Sequence, residues 1–100
     1  MRQFILSLLA CLCRTAYSQT TSQADLLVEE AQKIESKQDY PTAITKLKQA
    51  DELYVKTGKT QSAERATCLH ILGRCYLNLE RPEGLTYTQM AADMRKTILG

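Results

Sequence analysis

The chain is 100 residues long, enough for one small domain, and 44% of it is hydrophobic and 24% charged. That balance excludes a disordered, collagen-like or disulfide-dense protein. Thirteen Lys and Arg against eleven Asp and Glu leave a net charge of only +2, too weak a bias for a protein that grips nucleic acid through its phosphates. One His, no Trp, four Gly and two Pro leave little material for a catalytic constellation.

Residues 1–18 have the three parts of a secretory signal. Arg2 is followed by the apolar run Phe4 to Cys13, and Ala16-Tyr17-Ser18 forms a small-residue site before Gln19. A membrane-spanning helix needs about 20 apolar residues, which this run does not reach. The pattern predicts a signal peptide over 1–18, a polar lead over 19–23 and an exported, periplasmic or secreted product. Leu8-Leu9-Ala10-Cys11 also resembles a lipobox, so a lipid anchor is the alternative. Cleavage after Ser18 removes Arg2 and Arg14, leaving eleven basic against eleven acidic residues, and leaves only Cys68 and Cys75 as thiols. Seven residues apart on one helix, these two lie about 10 Å apart in rise, beyond disulfide reach.

Four helices follow. Ala24, Leu27, Ala31 and Ile34 recur at helical spacing after Ser22, with Asp25 placed for the first turn. Asp39 caps a second helix, with Pro41 in its first turn and a stripe of Tyr40, Ala43, Leu47, Ala50 and Tyr54 that stops at Gly58. A third begins near Ser62 and carries Ala66, Leu69, Leu72, Gly73 and Tyr76. A fourth begins at Pro82 and carries Gly84, Leu85, Thr88, Ala91, Met94 and Ile98. No stretch sustains the alternation of a strand, and the connections are short, so neighbouring helices should run antiparallel. The expected fold is all-α, two tandem antiparallel hairpins over residues 24–100, one spanning about 24–57 and the other about 63–99. A plain four-helix bundle is the competing arrangement.

Two segments carry a family likeness: Leu72-Gly73-x-x-Tyr76, and Tyr40-x-x-Ala43-Ile44-x-x-Leu47-x-x-Ala50. With Leu27, Ala31 and Ile34 in the first hairpin, and Gly84, Thr88 and Ala91 in the second, they resemble the tetratricopeptide repeat family. Small residues there let helix axes approach closely. The departures are a spacing of 42 from Ala31 to Gly73 instead of about 34, Leu27 and Leu69 in place of the usual Trp, and no repeat-ending Pro. The resemblance implies a segment of right-handed α-solenoid and a non-enzymatic protein-binding module, of the kind found in exported bacterial proteins. A variant is the N-terminal sensory or scaffolding part of a longer signalling protein, such as a sensor kinase with these repeats.

The two hairpins also differ in a telling way. The shoulder Leu26, Glu30, Lys33 and Lys37 of the first helix becomes Cys68, Leu72, Cys75 and Leu79 on the third. An outer, solvated repeat followed by one that rests on it has this pattern, with the cysteines as small buried hydrophobes.

Catalytic and metal chemistry find no support. Cys68 and His70 are two residues apart, about 200° round a helix, and no second Cys/His cluster exists. Glu29-Glu30 and Asp51-Glu52 diverge by about 100°, and no glycine-rich phosphate loop is present. The chain is predicted to be no enzyme, with no metal and no cofactor. Recognition remains. The resemblance places peptides in a groove lined by the first helix of each hairpin, here by Asp25, Val28, Gln32 and Glu35 and by Thr67, His70, Arg74 and Asn78. His70, Arg74 and Asn78, each one turn apart, would form a polar ladder for an extended peptide or a carboxylate. The fourth helix shows Leu85, Tyr87, Met90, Met94 and Ile98, read as an exposed apolar end face. It would be completed by self-association, by a protein partner or by further repeats of a longer protein, and self-association makes a self-assembling structural protein the alternative function. No nucleic acid is expected as a partner, and a membrane only through the signal peptide or a lipid anchor.

Overall fold

A computed structural model describes residues 22–100; the expected signal peptide over 1–18 and most of the expected polar lead over 19–23 lie outside them. Four helices follow one another: α1 (Gln23–Ser36), α2 (Tyr40–Lys56), α3 (Ala63–Asn78) and α4 (Glu83–Leu99), with no strand among the described residues.

Local chemistry accounts for the starts. The Ser22 hydroxyl accepts the Asp25 amide at 3.1 Å, and the Ser62 hydroxyl accepts the Arg65 amide at 3.1 Å, each satisfying a donor the helix leaves open. The Asp39 carboxylate accepts the Thr42 amide at 3.4 Å, with Pro41 in the first turn. Before α4, Pro82 makes no side-chain cap. The stops share one device. Gln38, Gly58 and Glu80 take left-handed conformations (φ 65°, 81° and 58°), and the next amide bonds back to the helix: Asp39 N to Ile34 O, Lys59 N to Tyr54 O, Arg81 N to Tyr76 O. Gly58 suits this role. At Gln38 and Glu80 the Cβ disfavours it, by about 1 kcal/mol or more. These two residues are 42 apart, the same interval as Ala31 to Gly73, so the hairpins repeat in their turns as well as in their stripes.

Packing is sequential. α1 packs on α2, α2 on α3 and α3 on α4, with a slight approach of α1 to α3, while α4 touches α3 alone. In a closed bundle α4 would return to α1 or α2; here two hairpins stand side by side. The core is continuous through them: Ala24, Val28 and Ala31 from α1, Ala43, Ile44, Leu47, Ala50 and Tyr54 from α2, then eight buried residues of α3 and three of α4. α3 is buried on more of its circumference than its neighbours because it has a helix on either side. Of its expected shoulder, Cys68, Leu72 and Cys75 are fully buried, but Leu79, just past the end of α3, is exposed; Leu26, Glu30, Lys33 and Lys37 at the matching positions of the first hairpin are all exposed.

Close approach of α3 and α4 depends on two glycines. A Cβ built on Gly73 would lie 2.6 Å from Thr88 Cγ2 and 2.9 Å from Gly84 O and Thr88 N. One on Gly84 would lie 2.6 Å from Gly73 O and from Leu77 Cγ. The helices therefore cross backbone against backbone.

Candidate functional site

The seam between the hairpins is the most elaborated part of the surface. Glu35, the next-to-last residue of α1, accepts two hydrogen bonds from Arg74 of α3: Nε to Oε2 at 2.6 Å and Nη2 to Oε1 at 2.8 Å. The Arg74 side chain is 47% exposed and that of Glu35 15%. The pair is thus bidentate and roofed on one side, a geometry that adds directional specificity to the charge attraction. The hydrogen bond to Glu35 raises the Arg74 pKa further above its ordinary value, so the guanidinium is always charged. A second pair grips the same seam. Arg65 Nε meets Asp51 Oδ1 of α2 at 2.6 Å while Arg65 Nη1 donates to Thr60 O at 2.9 Å, with side chains 12% and 24% exposed. Both cations come from α3 and both acids from the first hairpin.

Further links tie the helices. Tyr54, buried at the end of α2, donates its hydroxyl to Asp25 at the start of α1 at 2.5 Å. Burial first, then that hydrogen bond, push the phenol pKa well above its ordinary value. The Tyr76 and Tyr87 rings stack 5.5 Å apart and nearly parallel, with Lys48 Nζ 5.5 Å from the Tyr76 centroid and Arg81 5.9 Å from it. Residues of α2, α3 and α4 thereby meet round one ring, an arrangement that stabilises the cations.

The expected groove residues are only partly brought together. Glu35 and Arg74 meet across α1 and α3, Gln32 lies exposed about one turn before Glu35 and Asn78 exposed one turn after Arg74, and His70 is half-buried one turn before Arg74. Asp25 and Val28 do not line that surface: Asp25 is bound to Tyr54, and Val28 is buried in the core. The polar ladder is also altered. Arg74 is turned towards Glu35, and the Asn78 amide donates to the Arg74 carbonyl at 2.9 Å.

The apolar end face needs correction too. Leu85, Met90 and Ile98 are exposed, but Met94 is 6% exposed and belongs to the core, and Tyr87 is half-buried against Tyr76. Residues 87, 91 and 94 fall on one helical stripe, the one facing α3. The opposite face of α4 is Thr86, Gln89, Asp93 and Lys96, all exposed, with Gln89 Nε2 donating to Asp93 at 2.9 Å. What remains apolar is not one face: Met90 and Ile98 flank the buried stripe, and Leu85 lies about 140° round the helix from each.

Cys68 and Cys75 are free and buried. The Cys68 thiol donates to the Leu47 carbonyl at 3.3 Å. Burial, with Asp51 nearby, pushes it up to about 12, and burial, with Glu35 nearby, pushes Cys75 up to about 11. Thiolates are the reactive species, so both are inert in the folded protein. No group of three or more His, Cys, Asp or Glu among the described residues is placed to hold a metal ion. No helix among them is long and apolar enough to cross a membrane.

Sequence reasoning missed the two seam ion pairs, although a signal was present. Shifted by 42 residues, Arg65 and Arg74 correspond to Gln23 and Gln32; Glu35 corresponds to Leu77, and Asp51, by the 41-residue shift of the second helices, to Ala92. Cations present in one hairpin only, matched by acids present in the other only, mark complementary sides of a joint. Compared with protein-family models, with curated proteins and with solved structures, the chain matches none.

Proposed function

We propose that this chain is a non-enzymatic, exported interaction module of the tetratricopeptide kind, and that it holds an extended peptide along the α1–α3 surface. The observation that supports this reading is the bidentate Glu35–Arg74 pair, which ties the two hairpins together with Gln32 and Asn78 exposed one helical turn on either side of it. A rigid row of amides and N–H groups lowers the entropic cost of ordering a ligand against it.

The pairing also narrows the ligand. Glu35 neutralises Arg74, so the surface offers hydrogen-bonding groups without a free cation. It suits the backbone of an extended, uncharged segment better than an acidic tail. The test is selection of random peptides displayed against the chain, repeated against a His70→Ala/Asn78→Ala variant. The reading predicts enrichment of neutral sequences that bind with little salt dependence and lose at least about tenfold in affinity on the variant. No enrichment, or binding indifferent to the variant, counts against it.

A further inference from the structure

Repeating the seam onto the free side of the second hairpin shows what that side accepts. The first hairpin grips α3 through Glu35, Ile44 and Asp51; their counterparts on the second are Leu77, Leu85 and Ala92. Ile44 is buried, whereas Leu77 is 43% and Leu85 66% exposed. The apolar anchor is kept and both acids are gone. A second copy stacked head to tail would arrive with Gln23 and Gln32 where α3 presents Arg65 and Arg74, so both halves of both ion pairs would be missing. It would also set Glu30, Lys33 and Lys37 against Leu85. The internal joint does not propagate.

The same shoulder fits itself. Leu85, Ala92 and Leu99 recur every seven residues along α4, all exposed, Leu85 at 66% and Leu99 at 86%. Seven-residue spacing keeps one line of side chains towards a partner helix. The line is symmetric about Ala92, whose short side chain allows two helices to approach at the centre. We propose that two copies of this chain pair through α4, antiparallel about a two-fold axis at Ala92, with Leu85 of each against Leu99 of the other. Leu77, beside Gly84, widens the contact at each end. Charges agree with this register: Arg95 faces Gln89 of the other copy and Lys96 faces Thr88, so no like charges meet. Leu85 to Leu99 spans about 21 Å of helix. The contact buries on the order of 500 Å² per copy, at the low end of specific interfaces, which points to a dimer forming in the micromolar range. It leaves the α1–α3 surface free, so this pairing and the peptide reading stand or fall separately.

Among the described residues the core lies between Ala24 and Met94, so the form beginning at Gln19 keeps all of it and suits the test. Sedimentation equilibrium from about 5 to 300 µM, a span set by that interface size, should show mass rising from one chain to two. Ala92→Glu, at an exposed position, places two carboxylates on the axis; it should leave the circular dichroism unchanged and hold the chain monomeric throughout. Oxidised Ala92→Cys should cross-link into a covalent dimer while Leu85→Cys, facing Leu99, does so far more slowly. Monomer at every concentration, a dimer untouched by Ala92→Glu, or equal cross-linking of the two cysteine variants would each overturn the proposal.

Discussion

Gly73→Ala separates two forces of opposite sign. Glycine inside a helix is unfavourable relative to alanine by about 1 kcal/mol, so propensity alone predicts that the substitution stabilises α3. Packing predicts the reverse. The new methyl would sit 2.6 Å from Thr88 Cγ2 and 2.9 Å from Gly84 O and Thr88 N. Thr88 could rotate, but two of these three atoms are α4 backbone, and moving them means displacing the helix. Overpacking of this kind costs about 1–3 kcal/mol, and a backbone obstacle belongs at the upper end. The net expectation is a loss of about 2 kcal/mol, or a fall in Tm of about 8–16 °C for a domain of this size. Gly84→Ala, with its methyl 2.6 Å from Gly73 O, should behave alike. The double variant should lose less than the sum, because a single separation of the helices relieves both clashes. Thermal and urea unfolding followed by circular dichroism measure all three. A Tm that rises with either single variant would refute the close crossing of α3 and α4.

Other perturbations test other joints. Arg65→Ala removes the partner of a three-quarters-buried Asp51 and the donor to Thr60 O, and should cost about 2 kcal/mol by urea unfolding; Arg74→Ala, at the more exposed pair, should cost about 1 kcal/mol or less and show it only at low salt. Gln38→Gly and Glu80→Gly relieve left-handed backbone and should each raise stability by about 1 kcal/mol, measured as an upward shift of the urea midpoint. Alkali should unfold the protein early. Cys68, Cys75 and Tyr54 keep their protons in the fold past the pH where the unfolded chain, with thiols near 9.0 and phenol near 10.0, releases them. Stability is therefore full below pH 9 and falls as pH rises towards 12. A Cys68→Ala/Cys75→Ala variant should flatten the first part of that fall in a Tm-against-pH series. Native thiols should react with a disulfide reagent only as fast as the chain opens, and immediate labelling would contradict their burial.

The helices were readable because each announces itself locally. Ser22, Asp39 and Ser62 are capping residues in front of apolar stripes, and Gly58 marks a stop. The stops at Gln38 and Glu80 were not legible, since neither residue favours the left-handed conformation it takes and tertiary packing imposes it. The buried shoulder of α3 was legible by comparison with α1. α4 was harder. Its apolar residues fall at spacings that suit two faces, and only the position of α3 shows that Tyr87 and Met94 turn inward while Leu85 and Leu99 stay out. At the candidate site, helical phase alone gave the expectation that Gln32, Arg74 and Asn78 line one groove. Phase alone does not reveal that Glu35 captures Arg74, because that depends on how far α1 and α3 stand apart.

The recognition surface between α1 and α3 is tested most directly by amide NMR of the isotope-labelled chain during titration with the strongest selected peptide. The account predicts saturable shifts concentrated at Gln32, Glu35, His70, Arg74 and Asn78, with the outer face of α4 (Thr86, Gln89, Asp93 and Lys96) unmoved. Shifts confined to α4, or scattered without saturation, would contradict it.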